Sequence, residues 1–136
     1  MTAKSNIPEA VSLVKNSEKI TNYFGEWPSF HDAEILRVQL DRQKCSCQIE
    51  IYYFKTLNEV DSGGDYKQAA HCRIVFQLLD IELLELTDFN YQNVISALTI
   101  KRLQDLIEVT LHPSYGLFGK IHCRKVILKS IKKNGK

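Results

Sequence analysis

Ala33-Glu34-Ile35-Leu36-Arg37-Val38-Gln39-Leu40-Asp41-Arg42-Gln43-Lys44-Cys45-Ser46-Cys47-Gln48-Ile49-Glu50-Ile51-Tyr52-Tyr53 is the stretch that decides the fold class. Leu36, Val38 and Leu40 alternate with Arg37, Gln39 and Asp41. Successive side chains leave a pleated backbone on opposite faces, so a period of two reads as a half-buried strand. Asp41 to Lys44 is a polar turn. Cys45, Cys47, Ile49, Ile51 and Tyr53 then alternate with Lys44, Ser46, Gln48 and Glu50, and the two strands read as a hairpin.

Upstream the period is different. Pro8 and Glu9 suit the first turn of a helix. Val11, Val14, Ile20, Tyr23 and Phe24 then follow as a loose helical stripe that ends at Gly25. Gly25 to Asp32 is a loop rich in aromatics, in which Trp27 and Phe30 are expected to anchor the core. Downstream, Lys55 to Gln68 reads as a polar loop around Asp61-Ser62-Gly63-Gly64-Asp65. Cys72, Ile74, Phe76 and Leu78 form the inward face of a third strand, and Ile81 to Leu86 a fourth. Segments 96–103, 106–112 and 120–131 complete a sheet. Helical crossovers between successive strands are missing, which favours antiparallel pairing. The expected fold is α+β, an N-terminal helix packed on a predominantly antiparallel β-sheet. It forms one domain over 1–136, with disordered tails at 1–6 and 133–136.

The 136 residues can hide roughly two-thirds of their unfolded surface, so no metal or disulfide staple is needed. With 44% hydrophobic and 25% charged residues the chain is globular in composition. No stretch approaches the roughly 20 apolar residues of a membrane span. Met1 to Pro8 carries no apolar core or cleavage site, so the chain is expected in the cytoplasm, with no membrane partner. Charge is uneven: residues 119–136 hold seven basic side chains and no Asp or Glu, while the rest holds 11 basic and 16 acidic. Solubility and pairing with Asp80, Glu82, Glu85 and Asp88 account for this basic last strand, and a nucleic-acid-binding module is the alternative.

Three clusters invite a chemical reading. Cys45-Ser46-Cys47, His71-Cys72 and His122-Cys123 look like zinc ligands, but C-x-C lies within a strand rather than in the short C-x2-C turn that lets two thiolates converge. Alternation sets all four cysteines on apolar faces, with His71 and His122 on the opposite ones. Buried free thiols in a reducing compartment are the expectation, with no metal and no cofactor. His31, Asp32 and Glu34 could make a base and its orienting carboxylate in a small enzyme. No nucleophile elbow, H-E-x-x-H or phosphate loop accompanies them, so His31 or Asp32 is expected to satisfy backbone groups at the turn. The 61–65 segment lacks the frame of a calcium loop.

Three motifs stand out in order: Phe24-Gly25-Glu26-Trp27-Pro28-Ser29-Phe30-His31-Asp32-Ala33-Glu34, Phe89-Asn90-Tyr91-Gln92-Asn93-Val94, and Val109-Thr110-Leu111-His112-Pro113-Ser114-Tyr115-Gly116-Leu117 leading to Cys123-Arg124. Together, over about residues 20–131, they resemble the immunity protein 50 family of bacterial polymorphic toxin systems. The resemblance implies a protein that binds and neutralises a cognate toxin, and it brings no catalytic residues. Alternation then suggests where a partner would sit. Glu50 and Tyr52 face outward on one strand, His71 and Arg73 on another and Arg124 on the last, and they make one polar face if these strands are neighbours. The competing place is the 55–68 loop. Tyrosine and arginine are enriched where interfaces hold most of their energy.

Overall fold

The apolar stripe at the N-terminus points inward, yet it does not form one helix. The computed structural model describes residues 8–60, 62–64 and 66–133. The tails expected at 1–6 and 133–136 lie outside the described residues apart from Lys133, which closes the last strand. Helix α1 (Glu9–Leu13) stops after five residues, and β1 (Val14–Lys15) pairs in parallel with Val126 and Ile127. Asn16 then takes φ 71°, a left-handed turn that Asn adopts more readily than most residues. Its amide donates to the Leu128 carbonyl at 3.4 Å, while the Ser17 hydroxyl donates to the Val11 carbonyl at 2.6 Å. Helix α2 (Glu18–Phe24) ends where Gly25, at φ 84°, donates its N–H to the Thr21 carbonyl at 2.8 Å. Ala10, Val14, Ile20 and Phe24 are all buried.

Strands β2 (Glu34–Asp41), β3 (Ser46–Val60), β4 (Tyr66–Leu79), β5 (Leu83–Thr87), β6 (Val94–Leu103), β7 (Leu106–Tyr115), β8 (Phe118–Cys123) and β9 (Lys125–Lys133) join β1 in one sheet of order β1-β9-β4-β3-β2-β6-β7-β8-β5. Every pairing among β2 to β9 is antiparallel, so β1 alone makes the sheet mixed. The halves β1-β9-β4-β3-β2 and β6-β7-β8-β5 meet at the pair Glu34 and Val94. Backbone bonds reinforce that seam: Asp32 N–H to Ile95 O at 2.9 Å, Ile95 N–H to Ala33 O at 2.9 Å and Ile35 N–H to Asn93 O at 2.8 Å. The chain returns to the first half at Arg124, whose N–H donates to the Leu79 carbonyl at 3.1 Å. The strand expected over 120–131 is therefore two strands, in different halves.

One core draws on both halves, with Ile49, Ile51, Ile74, Leu78 and Leu128 from the first and Ile95, Leu111 and Ile121 from the second. Each such side chain contributes about 1.5–3 kcal/mol on leaving water. Several expectations need correction. Pairing shifts by one residue between Ile35 and Arg37, so Leu36 is a β-bulge and Ile35 takes its place against the core. Val38 and Leu40 keep the inward side, but Leu40 lies at the strand end and is 55% exposed. The polar 55–68 loop is instead mostly ladder, with Lys55 opposite Ala69, Thr56 opposite Gln68 and Val60 opposite Tyr66, while Asp61 and Asp65 lie outside the described residues. The 81–86 strand starts at Leu83 and forms the edge beside β8.

Cys47, Cys72 and Cys123 are buried as alternation requires, and burial pushes their thiols up to about 11, 11 and 12. Cys45 departs from the expectation. It lies in the Asp41–Cys45 turn at φ 49°, exposed, with the Asp41 carboxylate capping the Gln43 and Lys44 N–H groups at 3.0 and 3.2 Å. Among the described residues no three His, Cys, Asp or Glu side chains are placed to hold a metal ion. Native mass spectrometry should give the bare chain mass. A stoichiometric zinc adduct, or a loss of two protons reversed by reductant, would contradict that.

Candidate functional site

The seam between the halves brings the three sequence motifs together. In the first, Phe30 and Asp32 both lie in the left-handed region, at φ 63° and 69°. For a bulky residue such as Phe30 this is an outlier that costs of order 1–3 kcal/mol unless its surroundings hold it. The surroundings do. The Phe30 ring is wholly buried, with ring centroids 5.1 Å from Tyr53, 5.8 Å from Trp27 and 6.2 Å from Phe76. The Phe30 carbonyl accepts the Ala33 N–H at 3.1 Å, and the next peptides join the seam. Trp27, expected as a second core anchor, packs against the core but is only half-buried.

The other two motifs are joined by Asn93 and Gly116. The buried Asn93 carboxamide accepts the N–H of Asn90 at 2.9 Å and of Leu117 at 3.0 Å, and donates to the Asn90 carbonyl at 2.9 Å. Gly116 sits against it at φ 87°. A Cβ there would lie 2.5 Å from the Gln92 carbonyl oxygen and 2.6 Å from Asn93 Oδ1, so only glycine fits. Outside this clasp three large rings face solvent, with Phe89 63% and Tyr115 56% exposed and Tyr91 fully exposed.

Beside the first motif is a polar cleft of about 420 Å³ lined by Glu26, Trp27, Pro28, Ser29, His31, Asp32, Tyr53, Phe54 and Lys55. His31 Nδ1 lies 3.4 Å from Asp32 Oδ2, and Lys55 Nζ lies 3.3 Å from Glu26 and 3.2 Å from the Phe24 carbonyl. Among the described residues neither the His31 nor the Asp32 side chain is hydrogen-bonded to the turn backbone, contrary to expectation. The Ser29 hydroxyl takes that role, accepting the His31 N–H at 3.2 Å. His31 and Asp32 are 63% and 60% exposed, and Glu34 does not line the cleft. Burial raises the Tyr53 phenol above its ordinary range. The three residues of the enzymatic reading therefore do not converge.

Of the expected partner-binding residues, four are brought together. Tyr52 and Arg73 are directly paired across β3 and β4, and the Tyr52 hydroxyl is hydrogen-bonded to His71 Nδ1. Phe54 completes the aromatic cluster, 6.2 Å from Tyr52 and 5.4 Å from His71 by ring centroids. Glu50 lies between two guanidinium groups, 3.3 Å from Arg73 and 3.6 Å from Arg37. A shallow hollow of about 260 Å³ lined by Arg37, Gln39, Gln48, Glu50 and Val75 continues this face. Arg124 is elsewhere. It binds Glu82 at 2.8 Å at the start of β9, whereas Arg73 is opposite Lys132 near the strand's end, roughly 20 Å away at the rise of a strand.

Direct pairings also continue this face toward the motif seam. Lys132, Arg73, Tyr52, Glu34, Val94 and Tyr115 are successive partners across six strands. Directly paired residues share a face, so one row runs from the basic last strand to the exposed aromatic corner. Sequence reasoning missed Phe89, Tyr91 and Tyr115 as surface residues. They belong to the second and third motifs, but nothing in their spacing distinguishes a ring in the core from one in solvent.

The sequence pattern of immunity protein 50 matches residues 16–134, nearly the whole chain. The chain belongs to the immunity protein 50 family. No curated protein and no solved structure is matched. All three motifs lie within the immunity protein 50 match, and they are the segments that meet at the seam. No helix among the described residues is long and apolar enough to cross a membrane.

Proposed function

We propose that this chain is an immunity protein that neutralises a cognate bacterial toxin in the cytoplasm by direct binding, and that it is not an enzyme. The observation that carries the reading is membership of the immunity protein 50 family across residues 16–134. The outer face around Glu50, Tyr52, His71 and Arg73 supports it. That face joins a half-buried tyrosine to an exposed arginine on neighbouring strands, a composition typical of binding hot spots.

The test is protection. A toxin domain encoded beside this chain should arrest cells when expressed alone and spare them when the chain is co-expressed. Arg73→Ala removes an exposed guanidinium whose Glu50 partner keeps Arg37. It should leave the melting temperature nearly unchanged while weakening toxin binding by more than about tenfold, ~1.4 kcal/mol. Arrest that the wild-type chain cannot relieve, with no binding to that toxin, would remove the immunity reading.

A further inference from the structure

We propose that the aromatic corner formed by Phe89, Tyr91 and Tyr115 is the centre of the toxin-docking surface, and that the toxin meets it with a basic segment bearing arginine and lysine. The inference rests on the immunity reading and names the surface and partner chemistry.

Exposure comes first. Three large rings in solvent forgo the 150–250 Å² that an aromatic side chain can bury, whereas the other large rings among the described residues are buried or half-buried. Scattered single apolar residues at a surface need no explanation, but these three belong to two segments locked to one another. The Asn93 carboxamide ties Asn90 to Leu117, and Gly116 lies against Gln92 and Asn93. The backbone on either side of Tyr91 and Tyr115 is thus held before a partner arrives. Such preorganisation reduces the ordering cost of binding, and tyrosine gives large contact area with few rotatable bonds.

Charge decides the partner's chemistry. Segments 27–34, 88–94 and 112–117 contain three carboxylates, Asp32, Glu34 and Asp88, and no Lys or Arg. Asp32 pairs only with the adjacent His31, and neither Glu34 nor Asp88 has an ion pair among the described residues. Tyr115, Val94 and Glu34 are successive pairing partners, which sets the Tyr115 and Glu34 backbones about 10 Å apart. Open rings beside carboxylates that pair with no Lys or Arg among the described residues favour arginine and lysine from outside, through cation–π contacts and charge pairing.

The experiment uses the full chain and the toxin domain encoded beside it, with its activity abolished by mutation so that binding can be titrated. Phe89→Ser/Tyr91→Ser/Tyr115→Ser should melt like the wild type, bind more than about 100-fold more weakly and fail to protect cells. If this variant melts early, Tyr91→Ala replaces it as the test. That side chain is fully exposed, and a loss above about tenfold is expected. Asp32→Asn/Asp88→Asn should slow association and remove most of its salt dependence. Binding by the wild type that the aromatic variants match within about twofold would overturn the corner. Unchanged salt dependence in the carboxamide variant would overturn the basic partner. A wild-type chain that neither binds nor protects would instead remove the immunity reading, and this inference with it.

Discussion

Phe30→Ala should lower the unfolding free energy by about 3–5 kcal/mol, the usual loss for a large aromatic taken from a packed core. The ring has no exposed surface and contacts Trp27, Tyr53 and Phe76, which cannot all collapse into the space it leaves. Against a typical total of roughly 5–15 kcal/mol, the variant would be marginal at 37 °C. The backbone gives a second, sharper expectation. Alanine at φ 63° keeps the left-handed penalty of roughly 1–2 kcal/mol, whereas glycine escapes it. Phe30→Gly should therefore be at least as stable as Phe30→Ala although it removes a further methyl group. Urea melts of both variants decide the matter, and a glycine variant clearly weaker than alanine would show that no left-handed penalty operates at this position. Trp27→Ala, at a half-buried position, should cost less than either.

The clasp between the second and third motifs should be the next most sensitive place. Asn93→Ala deprives the buried Leu117 N–H of its acceptor, at a cost of about 1–3 kcal/mol for that group alone, and also breaks two bonds to Asn90. Gly116→Ala meets two obstacles together. Left-handed geometry costs roughly 1–2 kcal/mol, and the new Cβ would stand 2.5 Å from a backbone carbonyl oxygen that can move only with its segment. Both variants should melt lower than wild type and show faster hydrogen exchange at Leu117. If the corner is where the toxin docks, both should also bind more weakly than their lost stability explains. Equal melting temperatures for Gly116→Ala and wild type would mean that the contact with Gln92 is absent in solution.

The two-residue period over 33–53 and 72–78 determined that the chain is a sheet protein. It determined too that Ile49, Ile51, Cys72, Ile74 and Leu78 are core, because a pleated backbone leaves no other way to bury them. The stripe of Val11, Val14, Ile20, Tyr23 and Phe24 was read as inward, and Val14, Ile20 and Phe24 are buried while Val11 and Tyr23 are half-buried; the motif residues pointed to the family. The bulge at Leu36 was not legible, since an inserted residue changes no composition and shows only against the partner strand. Nor was the break at Asn16, where β9 supplies the pairing that draws Val14 and Lys15 out of the helix. The 55–68 segment looks like a loop because its polar residues carry no apolar alternation, yet backbone pairing needs none once the hairpin has set the register. Phe30 was legible in the sequence as a core anchor, whereas only the tertiary structure could place Tyr91 in solvent and leave Trp27 half-buried. What decides their exposure is which segment is tied to which across the seam. That is a matter of contacts between residues some 60 positions apart.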